Sequence, residues 1–271
     1  MSVNDITKDS IDMYFSQLAK ELKKEFGRNA NIELVVVGGA AVMLNYDFRE
    51  ATKDIDALVA ARSSIKNAVN RIGDKFGLQN GWINSDFRNT KSYSPQLIQC
   101  SKYHRTYNQV LTVRTIDAEY LIAMKLASFR EYKNDRSDVA GILSSEKGKE
   151  INFDRITQAV DKLYGGWENM PEGAEDFAKD CIQHRSKELY ENLKSIKLDN
   201  KEILVSFEQK YDNVLNESNL SDILQNIKSK QKASEQSFVD FLKDANKQAD
   251  EINQQVQDNN IDRDVGKDYE R

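Results

Sequence analysis

The run Ile32–Val37, followed at once by Gly38-Gly39 and a short alanine-rich apolar stretch, limits the possible folds of this chain more than any other segment. It is rich in β-branched residues, apolar without alternation from Leu34 on and too short for a helix, which reads as a buried strand. The glycine pair then turns it into a short helix through Ala40, Ala41, Val42 and Leu44. A second strand follows at Asp54–Ala60. After it, with Ser63 as N-cap, the residues Ile65, Val69, Ile72 and Phe76 form a helical stripe. Upstream, Ile11, Phe15, Leu18, Leu22 and Phe26 recur at helical spacing between Thr7 and Gly27. Strand, helix, strand, helix is the opening of a protein that mixes α and β structure.

Further along, residues 77–95 read as a loop around Trp82. Gln96–Ser101 and Gln109–Arg114 read as paired strands joined through Tyr103–Tyr107. From Ala118 the pattern turns helical: Leu121, Ile122, Leu126 and Phe129 mark one helix, and Asp138–Leu143 begins another after a polar break at Asn134–Ser137. No internal repeat signals a solenoid. Helical spacing continues beyond Glu175 through Leu189, Leu193 and Ile196, and later Phe238, Leu242 and Ala245, while the last twenty residues, dense in Asp, Asn and Gln, read as a frayed end.

Composition narrows the chemistry. Only two histidines, His104 and His184, and two widely spaced cysteines, Cys100 and Cys181, are present, so a zinc ribbon, a disulfide scaffold and a His-rich metal site lack material. Any metal chemistry rests on carboxylates. The net charge of −5 conceals an asymmetry: residues 1–171 hold 24 Lys+Arg against 22 Asp+Glu, and residues 172–271 hold 15 against 22, giving +2 and −7. Both prolines, Pro95 and Pro171, fall in or at the edge of the first part, which places a domain boundary near Pro171. No apolar run is long enough to span a bilayer and no secretory pattern opens the sequence, so a cytoplasmic protein is expected.

Alternation along the second strand sends Asp54 and Asp56 to one face and Ile55 to the other. Two carboxylates side by side repel one another, so the pair reads either as an exposed surface feature or as a seat for a divalent cation with oxygen ligands such as Mg²⁺. The strand-end glycines point the same way, because bare amides at a helix start attract phosphate, although such a pair is also a common structural turn.

In this order, VVVGGAAVML followed by TKDIDALV resembles the signature of the nucleotidyltransferase superfamily that includes DNA polymerase beta. The segment VRTIDAEYLIAMKLASFREYKNDRSDVAGIL resembles the helical block of AbiEii-type and related nucleotidyltransferases, and the likeness covers roughly residues 30–145. It implies an α+β nucleotidyltransferase fold, a small mixed sheet flanked by helices, followed here by an acidic helical domain over residues 172–271. It also implies Mg²⁺-dependent transfer of a nucleotidyl group from an NTP by attack on the α-phosphate, onto an RNA such as tRNA or onto a protein. Gly38 and Gly39 match the phosphate turn, Asp54 and Asp56 the metal pair, Lys125 the helix lysine and Asp138 the later acidic position. Gly39 stands where many active members carry serine, and Asp86 and Asp117 are the candidates for the superfamily's third carboxylate. The alternative is a protein of this fold that has lost catalysis and serves as a binding or interaction module. Some relatives belong to toxin–antitoxin or abortive-infection systems.

Three further readings concern charge. Lys125 lies in an otherwise apolar helix where an unpaired ammonium is costly, so it reads as a site residue that neutralises phosphate, or as a solvent-facing lysine. Arg130 and Asp138 read as an ion pair tying two helices. Residues 87–116 lack any acid and carry Arg88, Lys91, Lys102, Arg105 and Arg114 with Tyr93, Tyr103 and Tyr107 interleaved. That pattern suits an RNA end, and equally a hairpin with packed tyrosines and solvated bases. The acidic tail reads as a solvated helical bundle or a surface for a protein partner.

Overall fold

A computed structural model describes residues 5–60 and 64–231. The chain divides into two compact units, Met1–Ser195 and Ile196–Arg271. The cap expected at Ser63, the helical positions Phe238, Leu242 and Ala245, and the C-terminal end lie outside the described residues.

The first unit opens with β1 (Ile6–Thr7) and α1 (Lys8–Phe26). A reciprocal cap between Thr7 and Ser10 starts α1 and Gly27, at φ +84°, ends it. The stripe Ile11, Phe15, Leu18 and Leu22 is buried, as its spacing requires. Then follow β2 (Ile32–Val36), α2 (Gly38–Asn45), β3 (Ala51–Thr52), β4 (Ile55–Ala60), α3 (Lys66–Phe76) and β5 (Ile83–Asn84). The hairpin β6 (Ser101–Tyr107) and β7 (Leu111–Ile116) leads into α4 (Ala118–Ser128), α5 (Asp135–Ser144), α6 (Phe153–Tyr164) and α7 (Ala174–Gln183).

Five strands form a mixed sheet in the order β5-β4-β2-β7-β6. β2 runs antiparallel to β4 and parallel to β7, β4 runs parallel to β5, and β6 and β7 are antiparallel. Leu34, Val35, Val36 and Val37 are all buried, so both faces of the central strand are covered, as its unbroken apolar run foretold. The architecture is the expected α+β one, with a small mixed sheet flanked by helices.

The hairpin differs from its reading in the sequence. Its turn falls on Asn108 and Gln109, which adopt φ +48° and +65°, so Tyr103–Tyr107 is strand rather than connection. Left-handed residues at both central positions match the right-handed twist of the flanking strands, and asparagine tolerates that conformation. Asn108 is further held by donating its side-chain amide to the Ser16 carbonyl at 2.9 Å. Upstream, Pro95 begins a 3₁₀ turn over Pro95–Ile98, and the Ser94 hydroxyl accepts from the Gln96 amide. Proline's preset φ and the hydroxyl cap favour a helical turn over the strand expected there.

Helix α7 packs on α4, α5 and α6, which carries the first unit past Pro171. α8 (Lys187–Lys210) and α9 (Leu220–Gln231) follow. In the second unit Phe207, Ile223 and Ile227 are buried together with Ile203, Tyr211, Val214 and Leu215 around them.

Candidate active site

The site begins where β2 ends. The Val37 amide donates to the Asp56 carbonyl at 2.9 Å, which sets the amino end of α2 beside the start of β4. Ile55 and Ala57 are fully buried while Asp54 and Asp56 are partly exposed, so strand alternation places both carboxylates on the other face. Gly38 adopts φ +59°, and a Cβ there would lie 2.8 Å from Asp56 Oδ2. The left-handed backbone favours glycine, and any side chain there would have to displace the carboxylate pressed against it. Among the described residues neither Asp54 nor Asp56 has an ion-pair or hydrogen-bond partner for its carboxylate. Burial and then the Asp54 charge push the Asp56 carboxyl from 3.8 up to about 6, against the opposing pull of Lys125, Arg130 and Lys133. A desolvated, unpartnered carboxylate with a second one beside it is an arrangement that a divalent cation stabilises.

Behind this pair lies a buried charge network. Lys125 Nζ is 2.8 Å from Asp138 Oδ2 and 3.1 Å from Asp135 Oδ1. Arg49 Nη1 reaches the same Asp138 oxygen at 2.6 Å, and Arg130 Nε holds Asp135 at 2.7 Å. Burial pulls the Lys125 ammonium down, but Asp138 and Asp135 outweigh burial and hold it above its ordinary value. Asp135 is held below the usual carboxylate range, because Lys125 and Arg130 overcome its burial. The backbone supports this: α4 stops at Phe129, at φ +46°, whose ring packs edge-on against Phe177 at 5.3 Å beneath the Arg136 guanidinium at 4.1 Å. The chain then doubles back so that Asp135 and Asp138, three residues apart on α5, face Lys125.

The structure therefore places Gly38, Gly39, Asp54 and Asp56 together at one strand-to-helix turn. Lys125 and Asp138 stand behind it, joined to each other. Lys125 is buried, which rules out its solvent-facing reading, and the pair foreseen between Arg130 and Asp138 closes on Asp135 instead. Asp86 lies exposed on a turn beyond β5, and Asp117 precedes α4 with Lys102 at 2.6 Å. Among the described residues no group of three His, Cys, Asp or Glu side chains is placed to share a metal, so neither joins the pair. Sequence reasoning missed Arg49, Asp135 and Lys133. Only the i, i+3 spacing of Asp135 and Asp138 opposite an isolated helix lysine hinted at the network.

Neighbouring acids partly neutralise the acid-free stretch, whose Lys102 and Arg105 side chains stay about half exposed. Arg105 pairs with Asp12 at 2.7 Å, Lys102 with Asp117, and Asp12 also receives the Tyr107 hydroxyl. Arg114 donates to Ser101 at 2.8 and 2.7 Å. Arg88 lies 6.0 Å from the Tyr93 ring, and Lys91 and Tyr103 are exposed.

No described helix is long and apolar enough to cross a membrane. A model of the family described as nucleotidyltransferase of unknown function (DUF6036) matches residues 14–178. No curated protein and no solved structure matches the chain.

Proposed function

Because the chain belongs to the DUF6036 nucleotidyltransferase family, we propose that it transfers a nucleotidyl group from an NTP, with Mg²⁺ held by Asp54 and Asp56. The observation that carries this reading is the pair of unpartnered carboxylates at the amino end of α2, with Asp56 pressed against the left-handed Gly38. The donor set fits the ion: Mg²⁺ is commonly bound through one or two carboxylates, with waters and substrate phosphates completing its shell. When bound, it supplies charge neutralisation and alignment at the α-phosphate, where attack occurs. The residues of the chain do the rest. The amides at the start of α2 receive phosphate oxygens, as helix amino ends do. Gly38 lets backbone approach the ligand without a side chain between. Lys125, fixed by Asp135 and Asp138, adds positive potential at Asp56, as do Arg130 and Lys133, which favours a polyanion there.

The acceptor we propose is an RNA end, reached through Arg88, Lys91, Lys102 and Arg105 with the exposed Tyr103 as a stacking surface. A protein acceptor, one that engages the acidic helical region, is the other class, and a place in a toxin–antitoxin or abortive-infection system would suit either. One experiment tests both levels: the protein is incubated with each α-labelled NTP, Mg²⁺, and total cellular RNA or protein, and label transfer is followed. Label on RNA supports the full reading and label on protein moves the acceptor. Nucleotide binding without transfer to either would leave a binding module of this fold.

A further inference from the structure

Arg49 belongs to no motif, yet it occupies the most informative place in the site. A Cβ at Gly39 would run into the Arg49 guanidinium, its Nη2 foremost, with the Thr52 hydroxyl 3.2 Å away. The guanidinium thus stands where a side chain of residue 39 would stand. Nη1 is committed to Asp138 at 2.6 Å and Nε leans on the Ala51 carbonyl at 3.4 Å, while Nη2 has no partner among the described residues. The side chain keeps 14% of its surface open.

This placement points a cationic donor at the amino end of a helix. Helix amino ends carry positive partial charge and disfavour cations, yet here a permanent cation is set against one. Asp138 does not balance it alone, because Lys125 shares the same carboxylate oxygen. Among the described residues, Arg49, Lys125 and Arg130 converge on two buried acids, Asp135 and Asp138. An anion at the turn would satisfy the amides of α2 and the open Nη2 together.

We propose that Arg49 is a phosphate-contacting residue: Nη2 donates to the polyphosphate of the bound nucleotide from the position that a serine at residue 39 would otherwise take. Gly39 then marks a change of donor and not the loss of one, because glycine makes the room that the guanidinium fills. The inference rests on the nucleotidyl-transfer reading above, which supplies the nucleotide.

The test uses the full chain, with inorganic triphosphate and Mg-ATP as calorimetric probes, and melting temperature as an independent readout. Arg49→Ala should weaken both probes about tenfold or more, and Arg49→Lys, which keeps the charge without the fork, by less. Gly39→Ser should lower the melting temperature in the parent, where it collides with Arg49. In the Arg49→Ala background the same change should cost little and restore part of the affinity, a pattern that a purely structural Arg49–Asp138 pair would not produce. Should Arg49→Ala fail to fold, Arg49→Ala combined with Asp138→Asn removes the stranded charge and is titrated instead. A folded Arg49 variant that binds triphosphate as the parent does would overturn the proposal while leaving the nucleotide reading in place. So would a Gly39→Ser cost that is unchanged when Arg49 is absent. A parent that binds neither probe in Mg²⁺ would overturn the nucleotide reading, and this proposal with it.

Discussion

Replacing Asp56 with asparagine should stabilise the protein at alkaline pH and abolish its response to Mg²⁺. The carboxyl titrates near 3.8 when solvated and is pushed up to about 6 in the fold by burial and by Asp54. An acid whose folded pKa is raised penalises folding fully above the folded value, and the penalty vanishes below the unfolded one. At about 1.4 kcal/mol for each tenfold change in proton affinity, ionised Asp56 costs at most about 3 kcal/mol at pH 8. Its partial exposure brings that to about 1–2 kcal/mol. For a unit of this size each kcal/mol moves Tm by about 2–4 °C, so Asp56→Asn should melt roughly 2–8 °C above the parent at pH 8. The gap should shrink through pH 6 and close near pH 4. Differential scanning calorimetry at the three pH values, with and without millimolar Mg²⁺, measures it. The cation should raise the parent's Tm at pH 8 and leave the variant's unchanged. A variant less stable than the parent at pH 8, or a gap independent of pH, would refute the claim that Asp56 is an unpartnered carboxylate held for a cation.

Three other outcomes follow from the same geometry. Lys125→Ala removes the cation that the buried Asp135 and Asp138 share while each keeps an arginine, and should cost about 1–3 kcal/mol of stability by urea titration; a variant as stable as the parent would contradict it. Gly38→Ala should lower stability by about 1–3 kcal/mol and weaken Mg²⁺ binding, because it strains a left-handed residue and drives a methyl against Asp56; equal Mg²⁺ affinity by calorimetry would contradict the second half. Lys102→Glu with Arg105→Glu should remove RNA binding and its salt dependence while NTP binding survives; tRNA titrations at two salt concentrations read this, and equal affinities throughout would show an ordinary solvated hairpin.

Legibility divides along a physical line. The unbroken apolar segment Leu34–Val37, the α1 stripe from Ile11 to Leu22 and the alternation of Asp54, Ile55 and Asp56 each announce their structure within a few residues. Backbone periodicity and side-chain burial act at that range. For the same reason the glycine turn and the carboxylate pair could be found in the sequence and assigned to one end of the sheet. What the tertiary structure decided is charge partnership. Arg49 meets Asp138, Arg105 meets Asp12 and Lys102 meets Asp117 only because the sheet and helices bring distant segments together, and no spacing in the chain encodes those distances. The strength of an ion pair depends on separation and burial, both properties of packing. Local pattern therefore located the acidic pair and Lys125, while Arg49, the ion pairs behind the site and the crowding of Gly39 by Arg49 had to wait for the fold.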